Sequence, residues 1–251
     1  MKKLLLILLC LHILGCGGGK KENTLTMHNI KGKVKEIIER EFNVKESFGD
    51  LEKSDLVLME GRRYDYEGNQ TEWNYYDKNG VLEWKIKYKY DDDGNLTEIN
   101  YYDKDGELIS KYKYKYDDEG NKTGRNVYEK DGVLKWKQKY IYDDDGNNTE
   151  MNTYDKDGEL ISKYKYIYDD DGNQTEINSY DKDGELETSE KYKYDDEGFL
   201  TESFTYDKDG NLEMMYKHKY EFDEKNNWIV KTLYEYDKPT NITEREIEYY
   251  Y

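Results

Sequence analysis

The sequence predicts an all-β protein built from tandem 26-residue, two-strand repeats, a long antiparallel meander rolled into a curved or spiralling sheet. Three observations carry this. First, glycines recur at a fixed step: Gly68, Gly94, Gly120, Gly146, Gly172 and Gly198 lie 26 residues apart, as do Gly80, Gly106, Gly132, Gly158, Gly184 and Gly210. Each follows acidic or amide residues, as in Asp91-Asp92-Asp93-Gly94-Asn95, which is the chemistry of a tight turn with glycine at the positive-φ position. Second, the segments between turns alternate with period two: Leu82, Trp84, Ile86, Tyr88 and Tyr90 against Glu83, Lys85, Lys87 and Lys89. Third, the spacing between successive glycines is unequal, 12 residues from Gly94 to Gly106 and 14 from Gly106 to Gly120. The difference accumulates in one direction as a stagger, and consistent stagger makes a sheet coil or close.

Composition sets the bounds. Hydrophobic residues make up 35% of the chain and charged ones 38%, so the 29 tyrosines must supply much of the core, each bringing a large ring with a polar tip. The formal charge of -18, with lysines interleaved among acids, disfavours nucleic acid and anionic lipid as partners.

Taken in order, residues 1–15 have the form of a signal peptide. Lys2 and Lys3 are the positive start, Leu4 to Leu14 the apolar run, and Ile13-Leu14-Gly15-Cys16 follows at once. This tetrapeptide resembles the lipobox of bacterial lipoproteins, which implies cleavage after Gly15 and lipidation of Cys16. The resemblance places the protein in the bacterial cell envelope, anchored by lipid to a membrane, the outer membrane or cell surface being the expected site. Loss of Lys2 and Lys3 takes the charge from -18 to -20. With Cys10 removed and Cys16 capped, no disulfide is available. Residues 16–29 then read as a lipidated, flexible tether.

Residues 30–63 read as a degenerate N-terminal capping repeat. Ile30 to Phe42 fits a short amphipathic helix or one face of a strand, strand being the reading preferred, and Phe48-Gly49-Asp50-Leu51 loosely copies the later turns.

Residues 64–219 are the clear repeats. A type I turn closed by a glycine bulge pairs Asp91 with Asn95 and Asp103 with Glu107. Counting outward from these turns sets Tyr90 opposite Leu96, Tyr88 opposite Glu98, Trp84 opposite Tyr102, and Tyr102 opposite Leu108. One face then gathers Leu82, Leu108, Leu134, Leu160, Leu186 and Leu212 with most tyrosines and with Glu98, Glu150, Glu176 and Glu202. The other gathers lysines and threonines. Residues 220–251 read as a degenerate C-terminal cap: Asn226 stands where glycine is expected, Pro239 is expected to end a ladder, and Ile242 to Tyr251 to serve as a closing strand.

The phrase Tyr-x-Tyr-Asp-x-x-Gly-Asn at Tyr88 to Asn95, Tyr114 to Asn121, Tyr140 to Asn147 and Tyr166 to Asn173 resembles the YD repeat of Rhs-like proteins. The resemblance covers Tyr64 to Tyr236 and implies a spiralling β-sheet. Some members of that family enclose toxin cargo and others are short envelope lipoproteins; the repeats here are too few for a closed cocoon. A weaker resemblance, to MORN-like variant repeats, rests on the phrase Tyr-Asp-Lys-Asp-Gly alone.

Candidate chemistry is sparse. In the acidic turns the first position of a calcium loop falls on Tyr101 or Lys89, so these acids read as turn formers and no metal or other cofactor is expected. The Asn-x-Thr triplets, such as Asn95-Leu96-Thr97, match the glycosylation acceptor but read as strand starts. There is no H-E-x-x-H and no G-x-S-x-G, and an enzyme is not expected. The aromatic stripe of Trp73, Trp84, Trp136, Tyr88, Tyr114 and Tyr140 is either the core of this sheet or the candidate binding surface for a protein or glycan partner. The expected function is a non-enzymatic envelope lipoprotein presenting a β-repeat surface for binding or scaffolding. The alternative is an immunity or antitoxin-type protein that neutralises a partner toxin.

Overall fold

The structure is a computed structural model and describes residues 23–251 except 48, 49 and 145. It is a sixteen-stranded antiparallel meander in which the last strand returns to the first and closes a barrel. The strands are β1 (Val34–Ser47), β2 (Asp50–Tyr64), β3 (Gln70–Tyr76), β4 (Leu82–Tyr90), β5 (Leu96–Asp103), β6 (Leu108–Tyr116), β7 (Lys122–Glu129) and β8 (Leu134–Tyr142). They continue as β9 (Asn148–Asp155), β10 (Leu160–Tyr168), β11 (Gln174–Asp181), β12 (Leu186–Tyr194), β13 (Leu200–Asp207), β14 (Leu212–Phe222), β15 (Trp228–Glu235) and β16 (Lys238–Tyr249). The all-β meander expected from the sequence is therefore present, and its curvature runs to full closure, which removes the unpaired edges an open sheet would expose.

The turns form as their residues dictate. Asp103 N–H donates to Glu107 O at 3.0 Å and Gly106 N–H to Asp103 O at 3.1 Å, with Gly106 at φ 83°. The turn carboxylates serve their own turn: Asp91 Oδ1 accepts from Asn95 N and its Oδ2 from Asn95 Nδ2. Asn226 takes φ 62° where the other repeats use glycine. Pro239 does not end its ladder. It lies inside β16 opposite Tyr234 beside a register shift, after a two-residue bend at Tyr236 and Asp237 that both adopt positive φ. A proline is tolerated there because the ladder is already interrupted.

Register departs from simple counting. Tyr90 pairs with Leu96 and Tyr102 with Leu108 as expected, but Tyr88 pairs with Ile99 and Trp84 with Asp103, because a bulge between Lys89 and Tyr90 inserts one residue. The extra residue is the threonine of the Asn-x-Thr phrase. Thr97 Oγ1 donates to Lys89 O, and Thr71, Thr149, Thr175 and Thr201 do the same to Arg63, Ile141, Ile167 and Lys193, at 3.0–3.3 Å. A one-residue shift moves everything beyond it to the opposite face. Glu98, Glu150, Glu176 and Glu202 accordingly lie among the outer lysines and not in the tyrosine layer.

A tyrosine at or near the end of β4, β6, β10, β12 and β14 has its own task. The hydroxyls of Tyr90, Tyr116, Tyr168, Tyr194 and Tyr220 each donate to the carbonyl of the residue 20 positions earlier, at 2.8–2.9 Å. One repeat is thereby stapled to the preceding one.

Residues 30–63 divide between a connector and the β1–β2 hairpin, with strand from Val34 onward. The hairpin runs beyond its neighbours: β16 pairs with β1 only as far as Asn43, and β3 with β2 only as far as Met59. Part of the proposed tether is folded. A single helical turn, α1 (Thr24–Met27), is capped by Asn23 and held to the rim, with Leu25 N–H donating to Gly68 O at 3.1 Å. From there the connector crosses the mouth: Asn29 donates to Glu197 O at 2.9 Å, and Lys31 N–H to the buried Asn227 Oδ1 at 2.7 Å. Leu25 and Ile30 pack with Val34, Ile37 and Tyr64, closing that end with an apolar cluster. Cys16 and Gly15 lie outside the described residues.

Candidate functional site in the barrel interior

The two faces of the wall differ in kind. The outer face repeats one unit: Lys89 and Lys111 lie 2.8 and 3.4 Å from Glu98, which also accepts from Asn100 Nδ2 at 2.6 Å. Burial alone would raise Glu98, but the bonds from Lys89 and Asn100 hold it down at about 2. The unit recurs at Glu150 with Lys163 and at Glu176 with Lys191. A second outer row sets lysine over tyrosine: Lys87 over Tyr102, Lys113 over Tyr128, Lys139 over Tyr154, Lys165 over Tyr180 and Lys191 over Tyr206, at 5.5–6.0 Å.

The inner face carries the aromatic stripe. Trp73 is buried, and Trp84, Trp136, Tyr88 and Tyr114 pack against the cluster of Trp73, Ile86, Ile99, Tyr112 and Val127. Tyr140 packs against the next cluster, around Met151, Tyr166 and Ile177. These rings line the interior, so the outer surface is presented by lysine, glutamate and the second set of tyrosines. Trp84 stacks on Tyr75 at 4.7 Å and meets Trp73 edge-on at 5.4 Å.

Two charged groups sit within this aromatic wall. The first lies at the seam where the barrel closes. Glu39 of β1 accepts from Arg245 of β16 at 2.7 and 2.9 Å and from Arg62 of β2 at 3.1 Å. Glu60 pairs with Arg62 and accepts from Trp73 Nε1 at 3.0 Å. Arg62 lies over Trp73 and Arg245 over Trp228, at 5.0 and 3.3 Å. Burial would raise Glu39, but Arg62 and Arg245 hold it far below the usual carboxylate range. Burial pushes Glu60 up to about 7, and the neighbouring Glu39 adds to the rise while Arg62 opposes it. His28 reaches this group from the connector. Enclosure by the barrel, then the charges of Arg62 and Arg245, push it down to about 4. Its side chain still meets solvent.

The second group is on β7. Arg125 is 8% exposed and its guanidinium lies 5.2 Å from the ring of Tyr112 and 5.3 Å from that of Trp136. Lys122, equally buried, lies over Tyr114 and Tyr140 at 5.2 and 5.7 Å. A cleft of about 330 Å³ opens at the rim, lined by Ser110, Tyr112, Val127, Glu129, Lys130 and Trp136; Arg125 does not line it, but lies against the rings of Tyr112 and Trp136. Trp136, Tyr114 and Tyr140 from the sequence-derived stripe thus converge on Arg125, whereas Trp73 belongs to the seam. Among the described residues no group of three or more His, Cys, Asp or Glu side chains is placed to hold a metal ion.

Neither protein-family models nor curated proteins yield a match to this chain. Solved structures do. A porin-like protein from Bacteroides uniformis aligns with TM-score 0.56 and 12% identity, over 86% of this chain and 98% of that one. By fold, this chain is similar to a porin-like barrel. A porin-like protein from Bacteroides vulgatus aligns with TM-score 0.44 and 12% identity, over 88% and 99% of the two chains. The Tc holotoxin pore of Photorhabdus luminescens aligns with TM-score 0.31 and 14% identity, over 76% of this chain and 12% of that one. At 12% identity the likeness to the Bacteroides uniformis protein is one of fold alone.

Sequence reading missed Arg125, Lys122, Glu39, Glu60, Arg62 and Arg245. For β7 a signal was present. Arg125 stands where Ile99, Met151 and Ile177 stand in other repeats, and Lys122 where Leu96 and Asn148 do, so two cations occupy positions that are uncharged in the other repeats. For the seam there was none, since Glu39 and Arg245 are 206 residues apart.

Proposed function

We propose that this protein is a non-enzymatic lipoprotein of the bacterial envelope whose barrel stands in water, tethered through Cys16, and works by binding or scaffolding. The observation that carries the reading is the polarity of the wall. A barrel that spans a bilayer needs an apolar belt outside, and each Lys or Arg facing lipid at the midplane costs about 2–4 kcal/mol. Here lysine–glutamate and lysine–tyrosine rows occupy the outer face from β4 to β14, with aromatic rings inside. Among the described residues no helix is long and apolar enough to cross a membrane. An outer wall of this kind calls for a separate anchor, which the lipobox at Gly15-Cys16 supplies.

The tether also orients the barrel. Asn23 is seven positions on from Cys16, and at about 3.5 Å per step the chain between them reaches at most about 25 Å. The mouth crossed by the connector therefore faces the membrane. The β1–β2 hairpin and the cleft lined by Trp136, at the opposite rim, face away from it. Binding is assigned to this distal rim and the interior behind it, with a protein or glycan as partner. The test is fractionation of cells expressing the wild type and C16A, together with crosslinking and pull-down from intact cells. The wild type is expected in the membrane fraction with acylated Cys16 and C16A in the soluble one; wild-type protein with a bare thiol at Cys16 overturns the reading.

A further inference from the structure

The outer wall repeats one ionic unit, and β7 breaks it. In its full form the unit is a glutamate with three donors: the cation opposite it on the preceding strand, the lysine diagonal to it on the following strand, and the asparagine two residues on. Glu98 has Lys89 at 2.8 Å, Lys111 at 3.4 Å and Asn100 Nδ2 at 2.6 Å. Glu72 has Arg63 at 3.4 Å, Lys85 at 3.7 Å and Asn74 Nδ2 at 2.7 Å. One repeat after Glu98 the three donors recur as Lys115, Lys137 and Asn126, but Gly124 stands where the glutamate is expected. The pairing is that of the other units, with Lys115 opposite Gly124 and Lys137 opposite Asn126.

The donors turn elsewhere. Among the described residues Lys115 and Lys137 make no salt bridge, and Lys137 Nζ leans toward the Gly158 turn, 3.7 Å from where a Cβ on that glycine would be. Asn126 Nδ2 donates to Tyr128 Oη at 3.2 Å. Lys113 and Lys139, at the other corners, lie over Tyr128 and Tyr154. Four lysines thus surround Gly124 and Asn126, and Lys113, Lys115 and Lys139 are exposed. Gly124 itself is buried, and a Cβ there would come within 3.0 Å of Gln138 O, so close approach of the strands is the local reason for glycine. The acidic turns at this end of the wall are no bar to a carboxylate. Glu98 lies between turns of the same kind, and although burial would raise it, Lys89 and Asn100 hold it at about 2.

We propose that this place receives a glutamate of a partner protein, its carboxylate between Lys115 and Lys137 and on Asn126, as Glu98 lies in its own unit. The place is an exposed stretch of wall and not a concavity, which suits a side chain offered by another protein better than a free small molecule. The group that the unit holds elsewhere is itself a glutamate side chain. A lipid surface is disfavoured, because Asp117, Asp118, Glu119, Asp143 and Asp144 at the same rim would meet anionic headgroups first. The proposal goes beyond the assignment of binding to the distal rim by adding a surface on the outer wall, and it does not depend on the lipid anchor.

The experiment uses the full chain in detergent at low salt, as wild type, K115Q/K137Q, G124A and G124E. The probe is a fluorescent peptide of alternating glutamate and serine, with its glutamine counterpart and inorganic phosphate as controls. Binding is read by anisotropy, and carbodiimide coupling with mass spectrometry locates the lysine that the carboxylate touches. The wild type is expected to bind the glutamate peptide at least about tenfold more tightly than the glutamine one, with coupling at Lys115 or Lys137. K115Q/K137Q changes two outer-wall side chains, leaves the core alone, and should lose that preference. G124E supplies the carboxylate from within the chain; it should lose the preference too, and melt about 1–4 °C above G124A, a gap that closes in high salt. G124A separates crowding by the added Cβ from the charge, and if G124E does not fold, K115Q/K137Q decides alone. Four results overturn the proposal: a wild type without preference for glutamate, a K115Q/K137Q that binds as the wild type does, coupling spread evenly over the lysines, or phosphate bound as tightly as the glutamate peptide, which would make the place a plain cationic patch.

Discussion

Exchanging Glu39 for glutamine removes a charge shared by three strands. Glu39 on β1 holds Arg245 on β16 through two N–H donors and Arg62 on β2 through a third, so it clasps both neighbours of the strand that closes the barrel. Side-chain exposures of 10% for Glu39, 7% for Arg245 and 23% for Arg62 leave little water to take over. Removing one partner of such a pair typically costs about 3–5 kcal/mol, and the partial exposure of Arg62 argues for the lower end, about 3 kcal/mol. Urea unfolding at neutral pH measures it. E39M/R245M supplies the control: it leaves Glu60 with Arg62 and fills the space with apolar atoms, so its cost should fall below about 1.5 kcal/mol. Hydrogen exchange should place the E39Q loss at the seam, with faster exchange at Ile37 and Ile247 than at Ile86. The reasoning fails if E39Q costs under about 1 kcal/mol, or if the double variant is as damaged as the single one.

Two further outcomes follow from the same geometry. His28 is held below its ordinary value, so the unfolded chain takes its proton first; its contribution is complete above pH about 6.5 and lost as pH falls toward about 4. H28Q should therefore flatten the acid limb of a stability–pH curve between those limits, and an unchanged limb would remove His28 from the seam's electrostatics. Glu60 works in the opposite sense, its contribution present below pH about 4.5 and lost as pH rises to about 7. Tyr116 donates to Leu96 O at 2.9 Å, and Y116F should cost about 1 kcal/mol by urea unfolding without altering the circular dichroism of the sheet. A change within about 0.3 kcal/mol would mean that the inter-repeat staple is decorative.

The turns were legible because their geometry is local. Asp103, Gly106 and Glu107 lie within five residues, and no distant contact is needed to decide that glycine takes φ 83° there. Closure was half legible: the alternating 12- and 14-residue spacing compels curvature, but whether a curved sheet meets itself depends on strand number and on what its two ends carry. The ends here carry Glu39 and Arg245, ordinary surface residues by sequence, whose fit appears only when β16 lies beside β1. The inner aromatic wall was legible as the alternative in which the stripe is this sheet's core, since a chain so poor in aliphatic residues has little else to bury.

What misled was the bulge. Counting pairs outward from a turn assumes that each strand spends one residue per rung, and Thr97 breaks the count by bonding Lys89 O and stepping aside. The physical clue was a threonine held at one place in the strand-start phrase, since a hydroxyl able to satisfy a bulge carbonyl is what distinguishes Thr97 from a valine of the same shape. The bulge has a further consequence. It moves Glu98 and its counterparts to the outer wall, beside the lysines, and so leaves the interior nearly free of acids along β5, β9 and β11. In such an interior Arg125 on β7 makes no salt bridge among the described residues and is held instead against the rings of Tyr112 and Trp136, so the same one-residue shift that pairs the outer acids with lysines leaves this cation to aromatic partners.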